Sequence, residues 1–312
     1  MCSGLQTISQ AYSLASGYQV EIWASYNVNP GEYTGETRDM VFDSEGNLYL
    51  PNSITGSITK ITKDRQVITS WVTGLNNPWG IEYTGGTSYG NNLYVCCVSG
   101  NKVVKVDMNG NKTDFSGLTG VTSIECDRTG QYGNKLYVGT SAGDRIYSVS
   151  TTGSATTFCN SFYNLGGSLL GIDFTNSAAY GNAMYVGTQY PNNLDKSGIF
   201  KIFPDGTAQR FSTNLVDGWD INYDSTGLFG GDLFVNAQDD WSNDWDWSIY
   251  RISPNGTASP FLASGHPFTS FTFGPDGAMY TLYMSESTPN ISYIYRITPI
   301  PEPMTLFLLG LG

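Results

Sequence analysis

Residues 80–115 read GIEYTGGTSYGNNLYVCCVSGNKVVKVDMNGNKTDF, and this stretch decides the fold. GIEYT and KVVKVD, which flank the apolar run LYVCC, alternate apolar with polar residues. They are rich in β-branched and aromatic side chains, which reads as strand rather than helix. Tyr89-Gly90 and Asn109-Gly110 supply the turns, with glycine at the positions that need positive φ. Phe115 marks a fourth short strand.

The same arrangement recurs along the chain. LYLPNS, LYVCCVSG, LYVGTSAG, MYVGTQYP, LFVNAQDD and MYTLYMSE begin at Leu48, Leu93, Leu136, Met184, Leu233 and Met279, 43 to 49 residues apart. Each follows an alternating segment (DMVFD, GIEYT, SIECD, GIDFT, DINYD, SFTFG) and precedes another (SITKIT, KVVKVD, RIYSVS, GIFKIF, SIYRIS, YIYRIT). An aromatic recurs on the fourth strand at Trp71, Phe115, Phe158, Phe211 and Phe261. Four strands at this period are the blade of a β-propeller. The expected fold is all-β, a six-bladed β-propeller over residues 18–298. The sixth repeat ends at Pro299 without a fourth strand, while Tyr18–Ser25 (YQVEIWAS) has that character, with Trp23 at the aromatic position. The N-terminal strand is therefore expected to pair into the last blade and close the ring, which removes an exposed sheet edge.

Composition excludes several functions. The 312 residues carry 15 Lys+Arg against 27 Asp+Glu, a net charge of −12, and only 13% are charged. A nucleic-acid groove needs clustered cations, so no nucleic-acid partner is expected. Aromatics at 14% argue against disorder. His-Glu-x-x-His does not occur. Five cysteines cannot all pair within the chain. Cys126 and Cys159 read as buried strand residues. Cys96 and Cys97, adjacent on a strand and pointing to opposite faces, read as thiols.

Candidate site residues follow from blade geometry. The loops entering each first strand, with those joining second to third strands, share the face where function is expected. Six pairs stand at the channel mouth, namely Arg38-Asp39, Trp79-Gly80, Thr122-Ser123, Leu170-Gly171, Trp219-Asp220 and Thr269-Ser270. Asp39 and Asp220 could converge to hold a hard cation or raise each other's pKa. The alternatives are that each accepts N–H groups of the next blade, or that Asp39 pairs with Arg38. A second candidate is the loop Gln238-Asp239-Asp240-Trp241-Ser242-Asn243-Asp244-Trp245-Asp246-Trp247. Its carboxylates suit Ca²⁺ and its indoles suit stacking on sugar rings, together with Trp79 and Trp219. The alternative is a loop with packed indoles and solvated carboxylates. His266, the single histidine, is a candidate general base or a loop hydrogen-bonder.

Two resemblances extend this reading. Pro78-Trp79-Gly80-Ile81 followed by Leu93-Tyr94-Val95 resembles the NHL-repeat blade. Asp217-Gly218-Trp219-Asp220 running into Asp224-Ser225-Thr226-Gly227 resembles gluconolactonase/regucalcin-like propellers. The latter implies a divalent metal held by a Glu, an Asn and an Asp just ahead of the first strands. The matching positions here are Arg38, Trp79, Thr122, Leu170, Trp219 and Thr269, so that triad is not carried over; only a shift of one position, to Asp39 and Asp220, supplies carboxylates. At the other end, Ile300-Pro301-Glu302-Pro303 and the apolar run Met304–Gly312 resemble the start of a PEP-CTERM sorting signal, truncated within residues 299–312. It implies an exosortase-type sorting machinery and export to a bacterial cell surface or extracellular matrix. Residues 1–17 then read as a leader or signal-peptide remnant. The function expected from this reading is a secreted or surface propeller that binds extracellular polysaccharide or a protein partner. The alternative is a metal-dependent lactonase- or esterase-like hydrolase with its site at the channel mouth.

Overall fold

The computed structural model describes residues 12–27, 37–162, 164–190, 193–212, 214–238, 247–264, 268–284 and 291–301. Six antiparallel sheets follow one another along the chain, each built in sequence order from the axis outward. The inner strands are Val41–Phe42, Pro78–Tyr83, Val121–Cys126, Ser168–Phe174, Asp217–Tyr223 and Phe268–Phe273. Blade six takes its outermost strand from the N-terminus: Tyr18–Asn27 pairs antiparallel with Ile291–Pro299, from Tyr18 opposite Pro299 to Asn27 opposite Ile291. The ring closes as its strand pattern requires.

The N-terminus goes one step further than expected. Tyr12–Leu14, read from the sequence as part of a leader, pairs with the outer strand of blade five (Ala258–Ser264) and makes that sheet five-stranded. The reason is an unpaired outer edge, which any adjacent extended segment can satisfy. The chain therefore laces blade five to blade six before entering blade one.

The recurring aromatics pack by one rule. The tyrosine or phenylalanine of each second strand meets the outer-strand aromatic of its own blade: Tyr49–Trp71, Tyr94–Phe115, Tyr137–Phe158, Tyr185–Phe211 and Phe234–Phe261 have ring centroids 4.7 to 5.1 Å apart. Trp23 completes the set in blade six, 5.2 Å from Tyr280. Cys96, Cys97, Cys126 and Cys159 are buried free thiols.

The aromatic-glycine turns do more than close hairpins. The Tyr132 hydroxyl reaches from blade three into blade four, donating to the Ile202 carbonyl (2.6 Å) and accepting from the Met184 N–H (3.0 Å). Tyr89 does the same to Val149 and Leu136 of blade three, and Tyr180 to Ile252 and Leu233 of blade five. Each hydroxyl satisfies two backbone groups at the start and end of a neighbouring hairpin. Phe229 occupies the equivalent place in blade five without a hydroxyl, and instead stacks on Tyr18 of the closing strand, centroids 5.3 Å apart. The third-to-fourth strand turns also contact the neighbour. Gly206 has φ 83°, and a Cβ there would lie 2.2 Å from the Phe158 carbonyl oxygen of blade three.

Tyr132→Phe leaves the Ile202 carbonyl and Met184 amide buried without a partner, at a cost of roughly 1–3 kcal/mol. Urea denaturation of this variant is expected to show a lowered midpoint with an unchanged slope.

Candidate functional site

Five of the six inner strands carry the same β-bulge. Pairing skips from Val121 to Ser123, from Leu169 to Gly171, from Gly218 to Asp220, from Phe268 to Ser270 and from Pro78 to Ile81. The skipped residues include Thr122, Leu170, Trp219, Thr269 and Trp79, the positions expected at the channel mouth. A bulge releases a residue from the ladder and re-aims its side chain. Here two of those residues grip a cation. The Arg38 guanidinium lies 4.2 Å from the Trp79 ring and 4.2 Å from the Trp219 ring. Blades one and five are not neighbours, so Arg38 spans the channel to reach Trp219. Both indoles are held from two residues upstream, Trp79 Nε1 donating to Asn77 (2.9 Å) and Trp219 Nε1 to Asp217 (3.1 Å). Trp247 packs edge-on against Trp219 at 5.0 Å. The mouth positions that would carry a metal triad thus hold a cation between two indoles, and that donor set does not fit a divalent ion.

One residue along, Asp39 and Asp220 are near enough for the charge of Asp220 to act on Asp39, and each is bonded to backbone. Asp39 accepts from Met40 N–H (2.7 Å) and from Ile81 N–H of blade two (2.9 Å). Asp220 accepts from Phe271 N–H (3.0 Å) and Ser270 Oγ (2.8 Å) of blade six, and from Asn222 (3.0 Å). The blade-stitching alternative is the one realised. Burial raises the Asp39 carboxyl well above its ordinary range, and Asp220 adds to this; burial raises Asp220 to about 6.

A third layer escaped the sequence reading. At the centre of the inner strands stand Val41, Glu82, Glu125, Asp173, Asn222 and Thr272, one per blade. The signal was present as the middle letter of GIEYT, SIECD, GIDFT, DINYD and SFTFG, a polar residue in alternation, with Val41 in its place in DMVFD. These residues line a cavity of about 440 Å³ that begins at Asp39 and extends to Arg128, Thr129, Asn176 and Ser225. The last four belong to connections following inner strands, so the cavity opens on the hairpin face, opposite the loop face on which function was expected. The physical reason is the Arg38 plug at one end and short hairpins at the other.

The carboxylates of this layer differ in what they touch. Glu82 pairs with Arg128 of blade three at 2.6 Å. Asp173 accepts from Phe174 N–H and from Tyr223 N–H of blade five. Glu125 bonds only Arg128 (3.2 Å) among the described residues, and its side chain keeps 21% of its surface exposed. Burial raises all three: Asp173 to about 7, Glu82 against the opposing pull of Arg128, and Glu125 well above its usual range, with Glu82 and Asp173 adding repulsion. Perturbed carboxyls gathered in one cavity are the usual mark of a working site. Among the described residues, no group of three His, Cys, Asp or Glu side chains is disposed to hold a metal ion. His266, Asp239, Asp240, Trp241, Asp244, Trp245 and Asp246 lie outside the described residues, as does the segment from Glu302 onward.

No protein-family model matches the sequence, and no curated protein matches it. Solved structures do share the fold. A calcium structure of a Trichoderma reesei carbohydrate-active enzyme of family AA12 has a TM-score of 0.60 at 14% identity, covering 96% of this chain and 99% of that one. A calcium-binding protein, regucalcin, from Agrobacterium tumefaciens gives 0.59 at 14% identity, covering 86% and 92%. A gluconolactonase from Xanthomonas campestris gives 0.58 at 10% identity, covering 85% and 88%. At these identities the likeness is one of fold.

The raised carboxyls set the pH dependence of stability. Asp173, Asp220, Asp39, Glu82 and Glu125 hold their protons to higher pH in the folded chain than in the unfolded one. The folded state therefore binds more protons from about pH 4 to about pH 7, and stability falls as pH rises through that window. Asp107 and Asp205, exposed turn acids held below their ordinary range by turn hydrogen bonds, act oppositely but only at lower pH. The melting temperature is expected to be higher at about pH 5 than at about pH 8, and Asp173→Asn to narrow the gap. Calorimetry at the two pH values checks it.

Proposed function

We propose that this protein is a hydrolase of small esters or lactones, working by acid–base chemistry inside the axial cavity. The observation that carries the reading is Glu125. Asp39, Asp173 and Asp220 are occupied by backbone amides of the next blade, and Glu82 by Arg128. Among the described residues Glu125 is the ring carboxyl bonded by Arg128 and by no backbone amide. It keeps 21% of its side chain exposed beside that guanidinium, with its proton held more tightly than an ordinary glutamate holds it. A solved structure sharing this fold is described as a gluconolactonase, which supports ring-ester opening as the kind of reaction.

In this reading Glu125, in its ionised form, takes a proton from water as the water oxygen bonds to the ester carbonyl carbon. The bond from that carbon to the alcohol oxygen then breaks, and the proton passes to the departing oxygen. Arg128, kept cationic by Glu82, faces the charge that develops on the carbonyl oxygen. Because Glu125 must be ionised to act, the rate rises with pH, and does so at a higher pH than an ordinary glutamate would set.

Hydrolysis of a panel of lactones and aryl esters, followed by pH-stat, tests this. Glu125→Gln is expected to lower kcat/KM by about 10²–10⁴ while the melting temperature stays within a few degrees of the parent. A fully active Glu125→Gln protein overturns the assignment. Activity lost on chelation and restored by Ca²⁺ overturns it in favour of a metal-dependent site at Asp39 and Asp220.

A further inference from the structure

The charge balance of the axial cavity bears on what enters it. Asp39, Glu82, Glu125 and Asp173 line one space of about 440 Å³, a volume suited to a small molecule. Among the described residues Arg128 is the one cation in its lining, with Nη1 against Glu82 and Glu125 and Nη2 on the Tyr83 carbonyl. Arg38 stands beyond Asp39, stacked between its two indoles. The carboxyls consequently outnumber the cations facing them. Glu82 is 3% exposed, and its Oε1 meets the Arg128 guanidinium at 2.6 Å. The rest of the lining includes aromatic residues, among them Tyr83, Phe174 and Tyr223.

We infer that the cavity takes a small organic cation, a molecule bearing a protonated primary amine, with the ammonium seated at Glu125 and Asp173 and the carbon frame against the aromatic lining. An ammonium adds the positive charge that Arg128 alone does not supply to these carboxyls and replaces protons that they otherwise retain. Carboxylates and aromatic faces both attract cations, and the attraction strengthens out of water. An anion in the same place would meet the carboxyls directly. Entry is from the hairpin face, where Arg128 is 45% exposed. The inference leans on the hydrolase reading only in calling this molecule a substrate; the binding stands apart from it.

Three isosteric probes test it by titration calorimetry on the whole chain: cyclohexylammonium, cyclohexanol and cyclohexanecarboxylate. Cyclohexylammonium is expected to bind at least about tenfold tighter than cyclohexanol at about pH 8, with the carboxylate weakest. The preference should shrink toward about pH 5, where Asp39, Glu82, Glu125, Asp173 and Asp220 keep their protons. It should also fall about tenfold in Glu125→Gln and in Asp173→Asn, with folding checked by the melting transition. Equal affinity for the amine and the alcohol, a preference for the carboxylate, or binding of none of the three at millimolar concentration overturns it. Ester hydrolysis that depends on Glu125 but shows no preference for amines overturns the cation and leaves the hydrolase. Amine binding without any hydrolysis does the reverse.

Discussion

Each blade ends at the axis in a strand whose inner edge has no neighbour. Backbone amides on such an edge face a narrow interior, and an amide buried without an acceptor is costly. The chain answers with side chains from the preceding blade. Asp39 reaches the Ile81 amide, Asp173 the Tyr223 amide and Asp220 the Phe271 amide, while Asn222 donates to the Phe271 carbonyl. Where no carboxylate serves, contact is closer or uses hydroxyls. Ser123 donates to the Leu169 carbonyl, and Gly80 and Gly171 lie so near the next strand that a Cβ would sit 2.9 Å from its atoms. The tyrosines of the first hairpins repeat the device farther from the axis.

This requirement also shapes the site. Stitching inner edges with carboxylates concentrates acid where water is scarce, and burial then raises every one of those carboxyls. A cavity rich in proton-holding groups follows from how the ring is closed. Most of its members are spoken for by backbone. Glu125 is distinguished because the amide it might have served, Phe174 N–H, is satisfied within its own blade by Asp173.

The fold was legible in the sequence to the level of single strands. The period of LYV-type second strands marked six blades, and Trp23 marked the closing strand by occupying a place the other five outer strands give to Trp71, Phe115, Phe158, Phe211 and Phe261. The site was legible only in part. Arg38, Trp79 and Trp219 were placed at the mouth, and Asp39 and Asp220 one step below. That the arginine fills the mouth depends on contacts between blades one, two and five, which sequence separation conceals. Glu82, Glu125 and Asp173 stood in plain view as polar members of an alternating strand, indistinguishable there from solvent-facing residues.

The sequence by itself determined the number of blades, the order of strands within each, and which strand closes the ring. These depend on local alternation and turn chemistry, which act over a few residues. Tertiary structure alone decided which end of the channel opens, which carboxyls serve the backbone and which one turns to Arg128 instead. Those outcomes depend on what lies across the axis, and residues from Asp39 to Thr272 meet there only once the ring has closed.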